Sequence, residues 1–561
     1  MPSLTRRPTR KPLTFRSKRK RVLRGVVVAA IVAALAGGGY LFMSGTTTAP
    51  EIDPRVALVA PCDLPRDVLE RVWRGYVPKR SGDVLAMELE PNQFGTRHST
   101  PFGYTQDVPL VLYGPGYVQA GASIATPATV ADLAPTYAEL LGFEEFPDRD
   151  GRVLEEALLP PAERNGTPKL ILTIVWDGGG DNVLEQWPEA WPNLRSMIAS
   201  GTEYVDATVG SSPSITPSIH STIGTGAFPQ HHGISDTRIR IGNSTVDAFE
   251  GSSPKYLEME TIGDLWDAAN GNAPVVGMFA RDAWHLGMIG HGAFLPEGDK
   301  DIAIMDQLGG VEFRTNEDYY TLPEYLLGLN GLKEAVADYD VRDGEADQQW
   351  LENTVLPFDG RVRYTPAWGN YQTDKLLQTL TAEGVGVDDI ADLFYVNYKA
   401  IDLAGHEWNM VEPEVRDVLI ETDAQLPKLI AFLDATVGPD SYVLALTADH
   451  GMTPFPEVTR GWSIETRDMT EDIEARFDKV TPKVPLVLSN RGYQIMLDPK
   501  ELELNGVSAA QVAAFVRNYR IEDNVTATNQ ILPRFEGRTD ERLFLSAFTP
   551  KGLERALACA R

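Results

Sequence analysis

The sequence predicts an α/β fold in which a largely parallel sheet is covered by helices on both faces. Apolar, β-branched runs of strand length alternate with segments whose apolar residues recur at helical spacing. Three of the runs, at 171–176, 393–398 and 442–447, are followed within four residues by an aspartate. Such alternation of strands and helices is typical of a parallel sheet with helices on both sides.

The length and the charge of the chain limit the classes of function. With 561 residues, 43% of them hydrophobic, the chain is long enough for one large domain or two. The net charge is −28, yet residues 1–24 hold ten Lys or Arg and no acid, which leaves −38 on the rest. Such a surface repels nucleic acid, so we expect no nucleic-acid polymer as a partner.

The N-terminus has the pattern of a membrane anchor. Residues 1–24 form a basic tail, residues 25–45 are apolar enough to span a bilayer, and residues 46–54 are typical of a tether. Because positive flanks stay in the cytoplasm, we expect residues 55–561 to form one extracytoplasmic domain at the cell membrane. The alternative is a cleaved signal peptide, since Ala34-Leu35-Ala36 resembles a cleavage site.

The chain has two cysteines, Cys62 and Cys559. In an oxidising compartment they are candidates for one disulfide, and two unpaired thiols are the alternative.

Local patterns predict the elements in order. Strands are expected at 82–89 and 108–113, followed by a helix at 129–141 and a linker rich in charge and proline at 143–167. After the strand at 171–176 come a helix from Thr216, a helix at 260–269 and a strand at 275–279. The acidic, irregular stretch 287–386 is expected to be an insertion that shapes a substrate entrance. A strand at 393–398, a helix at 414–437 and a strand at 442–447 complete the regular part.

Acidic and imidazole side chains follow the three strands that lead to an aspartate. They are Asp177, then Asp402 with His406, then Asp449 with His450. In open α/β sheets the functional crevice lies outside the carboxyl ends of the strands, so these groups are able to converge. A single aspartate after a strand is more often a cap, but three together favour a site. Carboxylate and imidazole without thiolate favour zinc over manganese or iron.

Thr216 stands directly before Pro217, a pattern typical of a helix N-cap followed by the first helical residue. A helix N-terminus also binds phosphate well, because its free N–H groups and its dipole favour an anion. The two interpretations are compatible.

The segments VWDGGGDN, SITPSIHSTIGTGAFPQHHGI, DLAGH and TADHGM resemble the type I phosphodiesterase/nucleotide pyrophosphatase branch of the alkaline phosphatase superfamily. The resemblance implies an alkaline-phosphatase-like sandwich that cleaves phosphate esters with two Zn²⁺ ions and a Thr or Ser nucleophile that becomes phosphorylated. It assigns Thr216 as the nucleophile. One zinc would be held by Asp177, Thr216, Asp449 and His450, and the other by Asp402 and His406.

Two departures from the family pattern matter. The family has an Asn three residues beyond the HGI tripeptide, where this chain has Thr237, which we expect to bind substrate in its place. The family also has a zinc-binding His after the DHG motif, and no His follows His450 here.

A segment before Asp177 resembles the one that normally follows DHG, as though the gene were circularly permuted. In this interpretation His98 is the missing zinc ligand, residues 55–167 are the permuted segment, and residues 168–561 are the metal-binding core. The stretch 492–547 resembles what usually precedes the permuted segment, so Cys62 and Cys559 would be neighbours. His285 and His291 are rival ligands. Packing or turn positions are expected for His220, His231 and His232.

The sequence therefore predicts a two-metal phosphohydrolase acting through a phosphothreonine, on phosphodiesters or nucleotide pyrophosphates. A Thr hydroxyl is a poor nucleophile at neutral pH, and coordination to a divalent cation makes its alkoxide available. Three alternatives remain: a phosphomonoesterase, a membrane-anchored phosphoryl transferase, and a binding module that the metals stabilise. The chain lacks the C-x-P-x-R signature of sulfatases, which disfavours sulfate esters.

Overall fold

The computed structural model describes residues 55, 57–306, 312–354, 360–480, 483–526 and 529–560, and in these residues the centre of the fold is a nine-stranded sheet. In chain order the strands are β1 Val84–Glu88, β2 Leu110–Tyr113, β3 Ala122–Ile124, β4 Ala128–Thr129, β5 Leu170–Trp176, β6 Thr202–Tyr204, β7 Ala207–Thr208, β8 Arg238–Ile241, β9 Ser244–Asp247, β10 Val276–Ala280, β11 Asp301–Met305, β12 Tyr320–Thr321, β13 Gln349–Trp350, β14 Asn353–Thr354, β15 Asp392–Tyr398, β16 Tyr442–Thr447, β17 Val487–Asn490, β18 Gln494–Leu497 and β19 Phe544–Phe548.

The α-helices of the same described residues are α1 Arg66–Arg74, α2 Gly103–Gln106, α3 Leu133–Leu141, α4 Asp181–Gln186, α5 Pro192–Ser200, α6 Thr216–Thr225, α7 Pro229–His232, α8 Ile262–Ala269, α9 Leu332–Asp340, α10 Pro366–Ala382, α11 Ala400–Trp408, α12 Pro413–Asp423, α13 Gln425–Thr436, α14 Pro456–Thr459, α15 Thr466–Phe477, α16 Pro499–Asn505, α17 Ala509–Arg517 and α18 Pro550–Cys559.

The central sheet is mixed rather than wholly parallel. Its strand order is β12-β11-β10-β15-β5-β16-β2-β6-β3, and β2 runs antiparallel to both of its neighbours while every other pair is parallel. The predicted strand at 108–113 is β2, and it shares this sheet with the predicted strands at 171–176 and 442–447. The N-terminal segment therefore supplies part of the central sheet.

Both faces of this sheet are buried, which explains why its middle strands are apolar at successive positions. All seven residues of β5 are buried. Ile171 and Val175 face one apolar core, which includes residues of α3, α6 and α8. The intervening Leu172 and Ile174 face a second core, which includes residues of α5, α10, α12 and α13. The α/β class is confirmed, with helices on both faces.

A second, antiparallel sheet joins the two ends of the domain. Its strand order is β17-β18-β1-β19, so β1 pairs with strands near the C-terminus instead of entering the central sheet. Cys62 and Cys559 form a disulfide with a Cα–Cα distance of 5.1 Å. The predicted proximity of the two cysteines is confirmed, and it is the arrangement that a circular permutation requires.

Some elements differ from their predicted form. The helix expected at 414–437 is two helices, α12 and α13, because Pro427 lacks the N–H that would bond to the carbonyl of Asp423. The stretch 287–386 is more regular than its sequence indicates, since β11 and β12 extend the central sheet and α10 packs against it. The linker at 143–167 runs in turns, but it buries Leu154 and Leu158 in a core.

No helix in the described part of the chain is long and apolar enough to cross a bilayer. The predicted basic tail, anchor and tether, residues 1–54, lie outside the described residues.

Candidate active site

The carboxyl ends of three adjacent strands bring the predicted site residues together. β5 lies between β15 and β16, and the three are parallel and in register up to Trp176, Tyr398 and Thr447. Asp177 therefore leaves the sheet beside the residues that follow the two neighbouring strands. The turn after Asp177 needs a left-handed residue, which Gly178 provides with a φ of 71°, and the N–H of Gly178 donates to Asp449 Oδ1 at 3.0 Å.

The predicted ligands form two groups at this edge, and Asp177 also belongs to a third group of potential ligands with His220 and His285. In one, His406 Nε2 lies 3.1 Å and His98 Nε2 3.7 Å from Asp402 Oδ1. In the other, His450 Nε2 lies 3.3 Å from Asp449 Oδ2 and 3.6 Å from Asp177 Oδ1. Within each group the ligand atoms lie within 4.8 Å of one another. The structure thus brings together all six predicted Asp and His ligands.

The two groups adjoin each other. His450 Nε2 is 3.9 Å from Asp402 Oδ1, and the rings of His98 and His450 stack with centroids 3.3 Å apart. His98 is 8% exposed, so it is not a histidine of a surface loop. The segment that precedes β5 therefore delivers His98 to the same place as the strand ends.

The donor atoms fit divalent metal ions. Asp402 Oδ1, Asp449 Oδ2 and His450 Nε2 are buried without a hydrogen-bond partner, an expensive condition for polar atoms that lack a ligand. His98 Nδ1 donates to Ser214 O at 2.7 Å and His450 Nδ1 donates to Gly451 O at 2.9 Å, which leaves each Nε2 with a free lone pair. Carbonyl partners of this kind are the usual means of orienting a metal-binding imidazole.

Electrostatics keeps these two histidines in the form that binds metal. Burial lowers the pKa of His450 to about 4 and lowers the pKa of His98 well below its ordinary value. Both rings are therefore neutral near pH 7, as a metal ligand must be.

Lys399 is a residue of the candidate site that the sequence did not indicate. Its Nζ donates to Asp177 Oδ1 at 2.6 Å, to Asp402 Oδ2 at 2.9 Å and to Thr216 Oγ1 at 3.0 Å. Burial lowers the pKa of Lys399, but the charges of Asp177 and Asp402 outweigh burial and raise the pKa above its ordinary value. The one signal in the sequence is its position three residues before Asp402, on the same side of a helical turn.

Thr216 differs from its predicted local role. It is the first residue of α6, and the N-cap position belongs to Ile215, whose carbonyl accepts the N–H groups of Ser218 and Ile219. The Thr216 hydroxyl does not cap the helix. It bonds instead to Lys399 Nζ, and the residue lines the cavity described below.

Of the other histidines, His220 and His285 lie behind Asp177. His220 Nδ1 donates to Thr216 O at 2.8 Å, and His285 Nε2 is 3.4 Å from Asp177 Oδ2. His285 thus contacts the carboxylate oxygen that faces away from His450. The rival ligand His291 contacts Asp264 instead, at 2.9 Å. His231 and His232 contact Asp150 and Thr222, in agreement with packing or turn positions.

A cavity of about 720 Å³ opens over the ligand groups. Thr216, Lys399, Asp402 and His406 are among the residues that line it. Farther out it is lined by Arg97, Thr237, Arg281, Trp284 and Arg491.

Thr237, the predicted substrate-binding residue, lies within a network of charged groups. Its Oγ1 accepts from Arg491 Nη2 at 3.0 Å and donates to Asp236 Oδ1 at 3.1 Å. Arg97 Nη1 donates to the carbonyl of Arg491 at 2.7 Å. Two guanidinium groups therefore stand beside the position where the family has an Asn.

Residues 171–531 match the sequence model of the family described as type I phosphodiesterase / nucleotide pyrophosphatase. The chain belongs to this family. As a member it is a hydrolase of phosphate esters within the alkaline phosphatase superfamily. The matched stretch begins at β5, so it does not include the segment that carries His98.

Relatives agree with membership of this family. The chain is 25% identical over 393 residues to "Alkaline phosphatase PafA" of Elizabethkingia meningoseptica, covering 60% of this chain and 70% of the relative. It is 24% identical over 411 residues to a protein named "Calcium-transporting ATPase" from Myroides odoratus, covering 63% and 73%. The crystal structure of wild-type PafA is similar in fold, with a TM-score of 0.50 and 20% identity over 62% of this chain and 76% of that one.

Proposed function

We propose that this chain cleaves phosphate esters through a covalent phosphothreonine at Thr216, with the help of two divalent cations. The observation that carries the proposal is the position of the Thr216 hydroxyl. It lines the cavity, and through Lys399 Nζ it is linked to Asp177 of one ligand group and to Asp402 of the other.

His98, Asp402 and His406 would hold one cation, and Asp177, Asp449 and His450, together with Thr216, would hold the other. Bound there, zinc would supply Lewis acidity that lowers the pKa of the Thr216 hydroxyl and offsets charge on the phosphate. The unpartnered buried atoms of Asp402, Asp449 and His450 support this assignment.

The residues of the chain then perform two displacements. In the first, Thr216 Oγ1 forms a bond to phosphorus as the bond to the leaving oxygen breaks; the hydroxyl proton passes to water, and the leaving alcohol takes a proton from water. In the second, a water oxygen bonds to phosphorus as the bond to Oγ1 breaks, and Oγ1 takes one proton of that water; the product is a phosphate monoester from a diester substrate or inorganic phosphate from a monoester. Lys399 donates to Oγ1, so it holds the hydroxyl oxygen in place while leaving the hydroxyl proton free to depart.

Family membership favours phosphodiesters and nucleotide pyrophosphates as substrates. A phosphomonoesterase is the second candidate, favoured by Arg97 and Arg491 beside Thr237. A monoester is a dianion with an additional charged oxygen, and a guanidinium group binds two phosphate oxygens in bidentate fashion. A phosphoryl transferase would use the same nucleophile but pass the group to an alcohol instead of water.

The test compares Thr216→Ala with Thr216→Ser as the matched control that keeps a hydroxyl. With p-nitrophenyl phosphate and bis-p-nitrophenyl phosphate, we expect the alanine variant to lose more than about 1,000-fold in kcat. The serine variant should retain measurable turnover, and acid-quenched wild type should yield a phosphorylated peptide containing Thr216. Chelation should abolish activity and zinc should restore it.

Four outcomes decide between the alternatives. An alanine variant that turns over as wild type would remove Thr216 from the chemistry, and activity that survives chelation would remove the metals. A faster rate with the monoester would assign phosphomonoesterase activity. A phosphorylated alcohol formed from added glycerol in preference to inorganic phosphate would assign the transferase.

We also propose that the basic and apolar pattern of residues 1–45 anchors the enzyme in the cell membrane, with residues 55–561 outside the cytoplasm. Protease treatment of intact cells should digest the catalytic part. Protection from protease until the membrane is opened would reverse the orientation, and recovery of the enzyme in the soluble fraction would favour a cleaved signal peptide.

A further inference from the structure

We propose that Asp267, Asp299 and Asp301 bind a calcium ion at the amino edge of the central sheet. Asp267 lies in the last turn of α8, Asp301 begins β11, and Asp299 precedes it by two residues. A carboxylate oxygen of each lies within 4.8 Å of the others. Because parallel strands present their carboxyl ends at the other edge, this aspartate cluster is separate from the phosphate-ester site.

Burial makes the ionised carboxylates of the cluster energetically unfavourable without a cation. Asp267 is 6% exposed and Asp301 is 7% exposed. Asp267 Oδ1 is buried and has no hydrogen-bond partner. An ionised carboxylate in such a place requires a compensating positive charge or a ligand. Two buried carboxylates that approach a third therefore fit a bound cation.

Side chains near the cluster do not supply that charge. The described residues that line its cavity, which measures about 410 Å³, include no lysine or arginine. Lys300 lies between two cluster members in sequence, but its Nζ donates to Glu317 O at 2.5 Å. Asp264 lines the same cavity, but its carboxylate already accepts the N–H groups of Thr261 and His291 and contacts His291 Nδ1 at 2.9 Å.

The position of Asp267 in its helix makes the excess of negative charge in the cluster more unfavourable. Asp267 is near the C-terminus of α8, the end of a helix that carries partial negative charge. A carboxylate is unfavourable at this end unless a cation lies beside it.

The ligand set favours calcium. Carboxylate oxygens alone suit hard cations, not zinc. Ca²⁺ takes six to eight oxygens at about 2.4 Å and accepts several carboxylates, whereas Mg²⁺ usually keeps its waters and uses one or two. Water in the cavity would complete the coordination. The ion would join α8 to the start of β11 and so stabilise this edge of the sheet.

The experiment uses the full chain saturated with stoichiometric zinc, titrated with CaCl₂ or MgCl₂ in a calorimeter and melted with and without calcium. Asp299→Asn is the test variant, because Asp299 is exposed and its substitution leaves the core intact. Asp338→Asn, exposed on α9, is the matched control with the same change of charge. Asp177→Asn tests whether the response comes from the phosphate-ester site.

Wild type, Asp338→Asn and Asp177→Asn should each bind one calcium and gain about 2–5 °C in Tm. Asp299→Asn should bind calcium at least about tenfold more weakly and lose that gain. It should also melt above wild type in calcium-free buffer, because one repelling charge is gone. Wild-type affinity in Asp299→Asn, no calcium binding in wild type, loss of the response in Asp177→Asn, or tighter binding of magnesium would each overturn the proposal.

Discussion

The disulfide between Cys62 and Cys559 allows a prediction of protein stability, because the length of the loop that it closes determines the size of its effect. The two residues are 497 apart in sequence, so the bond closes almost the whole described chain into one loop. The chain-entropy relation gives about 6 kcal/mol for a loop of this length, and losses measured on removing native disulfides are typically about 2–5 kcal/mol. We therefore expect Cys559→Ser to lower the free energy of unfolding by about 2–5 kcal/mol.

The assay is urea unfolding followed by tryptophan fluorescence, with and without reductant. Reduced wild type should coincide with Cys559→Ser, and reductant should leave the variant unchanged. The double variant Cys62→Ser/Cys559→Ser is the control for the free thiol left by the single change. Phosphate-ester turnover in the absence of urea should persist, because the bond joins the 3-10 turn Pro61–Asp63 to the end of α18, beside an apolar cluster separate from those of the central sheet. A loss below about 1 kcal/mol, or a reductant effect on the variant, would refute the entropic reasoning.

Three further changes have defined outcomes. Burial raises the pKa of Glu88 to about 7 from its ordinary 4.5, so the folded protein binds the proton more tightly and stability falls as pH rises between these values. The free energy of unfolding of wild type should fall by roughly 3 kcal/mol between pH 4.5 and pH 8, and Glu88→Gln should remove this fall. Urea unfolding at the two pH values measures it, and an equal fall in both proteins would contradict the prediction. Lys399→Met leaves the Asp177 and Asp402 carboxylates without their cation, so it should lower the free energy of unfolding by about 3–5 kcal/mol in the presence of chelator. Zinc should restore part of this loss, and equal Tm values for the variant and wild type in chelator would contradict the prediction. In Gly180→Ala the new Cβ would lie 2.6 Å from Gly451 Cα, so the change should lower the free energy of unfolding by about 1–3 kcal/mol and slow turnover. An unchanged urea midpoint would show that the two loops move apart without loss of stability.

The parts of the fold that could be predicted are those that local sequence patterns indicate. Long apolar runs such as 171–176 identify the strands of the central sheet, and the residues just beyond them identify the ligand groups. The placement of His98 could be predicted only through the family resemblance, because nothing near it in sequence indicates that it meets Asp402.

The features that escaped prediction depend on distant packing. A lysine just beyond a strand is normally solvated, so the role of Lys399 emerges only when Asp177 and Asp402 enclose it. The pairing of β1 with β18 and β19 joins residues more than 400 positions apart in sequence, and no local sequence pattern indicates such a pairing. The two-residue strand β12 is too short for a periodic signal.

The pairing of β1 also bears on how the protein is made. Leu85 of β1 is opposite Phe548 of β19, and Leu112 of β2 is opposite Ala445 of β16. During synthesis at about 5–20 residues per second, β1 therefore waits roughly 20–90 s for its last partner to leave the ribosome. The smaller sheet closes only after β19 has left the ribosome, and the Cys62 thiol stays available to other thiols throughout that interval. The Cys62–Cys559 bond therefore forms only after α18 has left the ribosome.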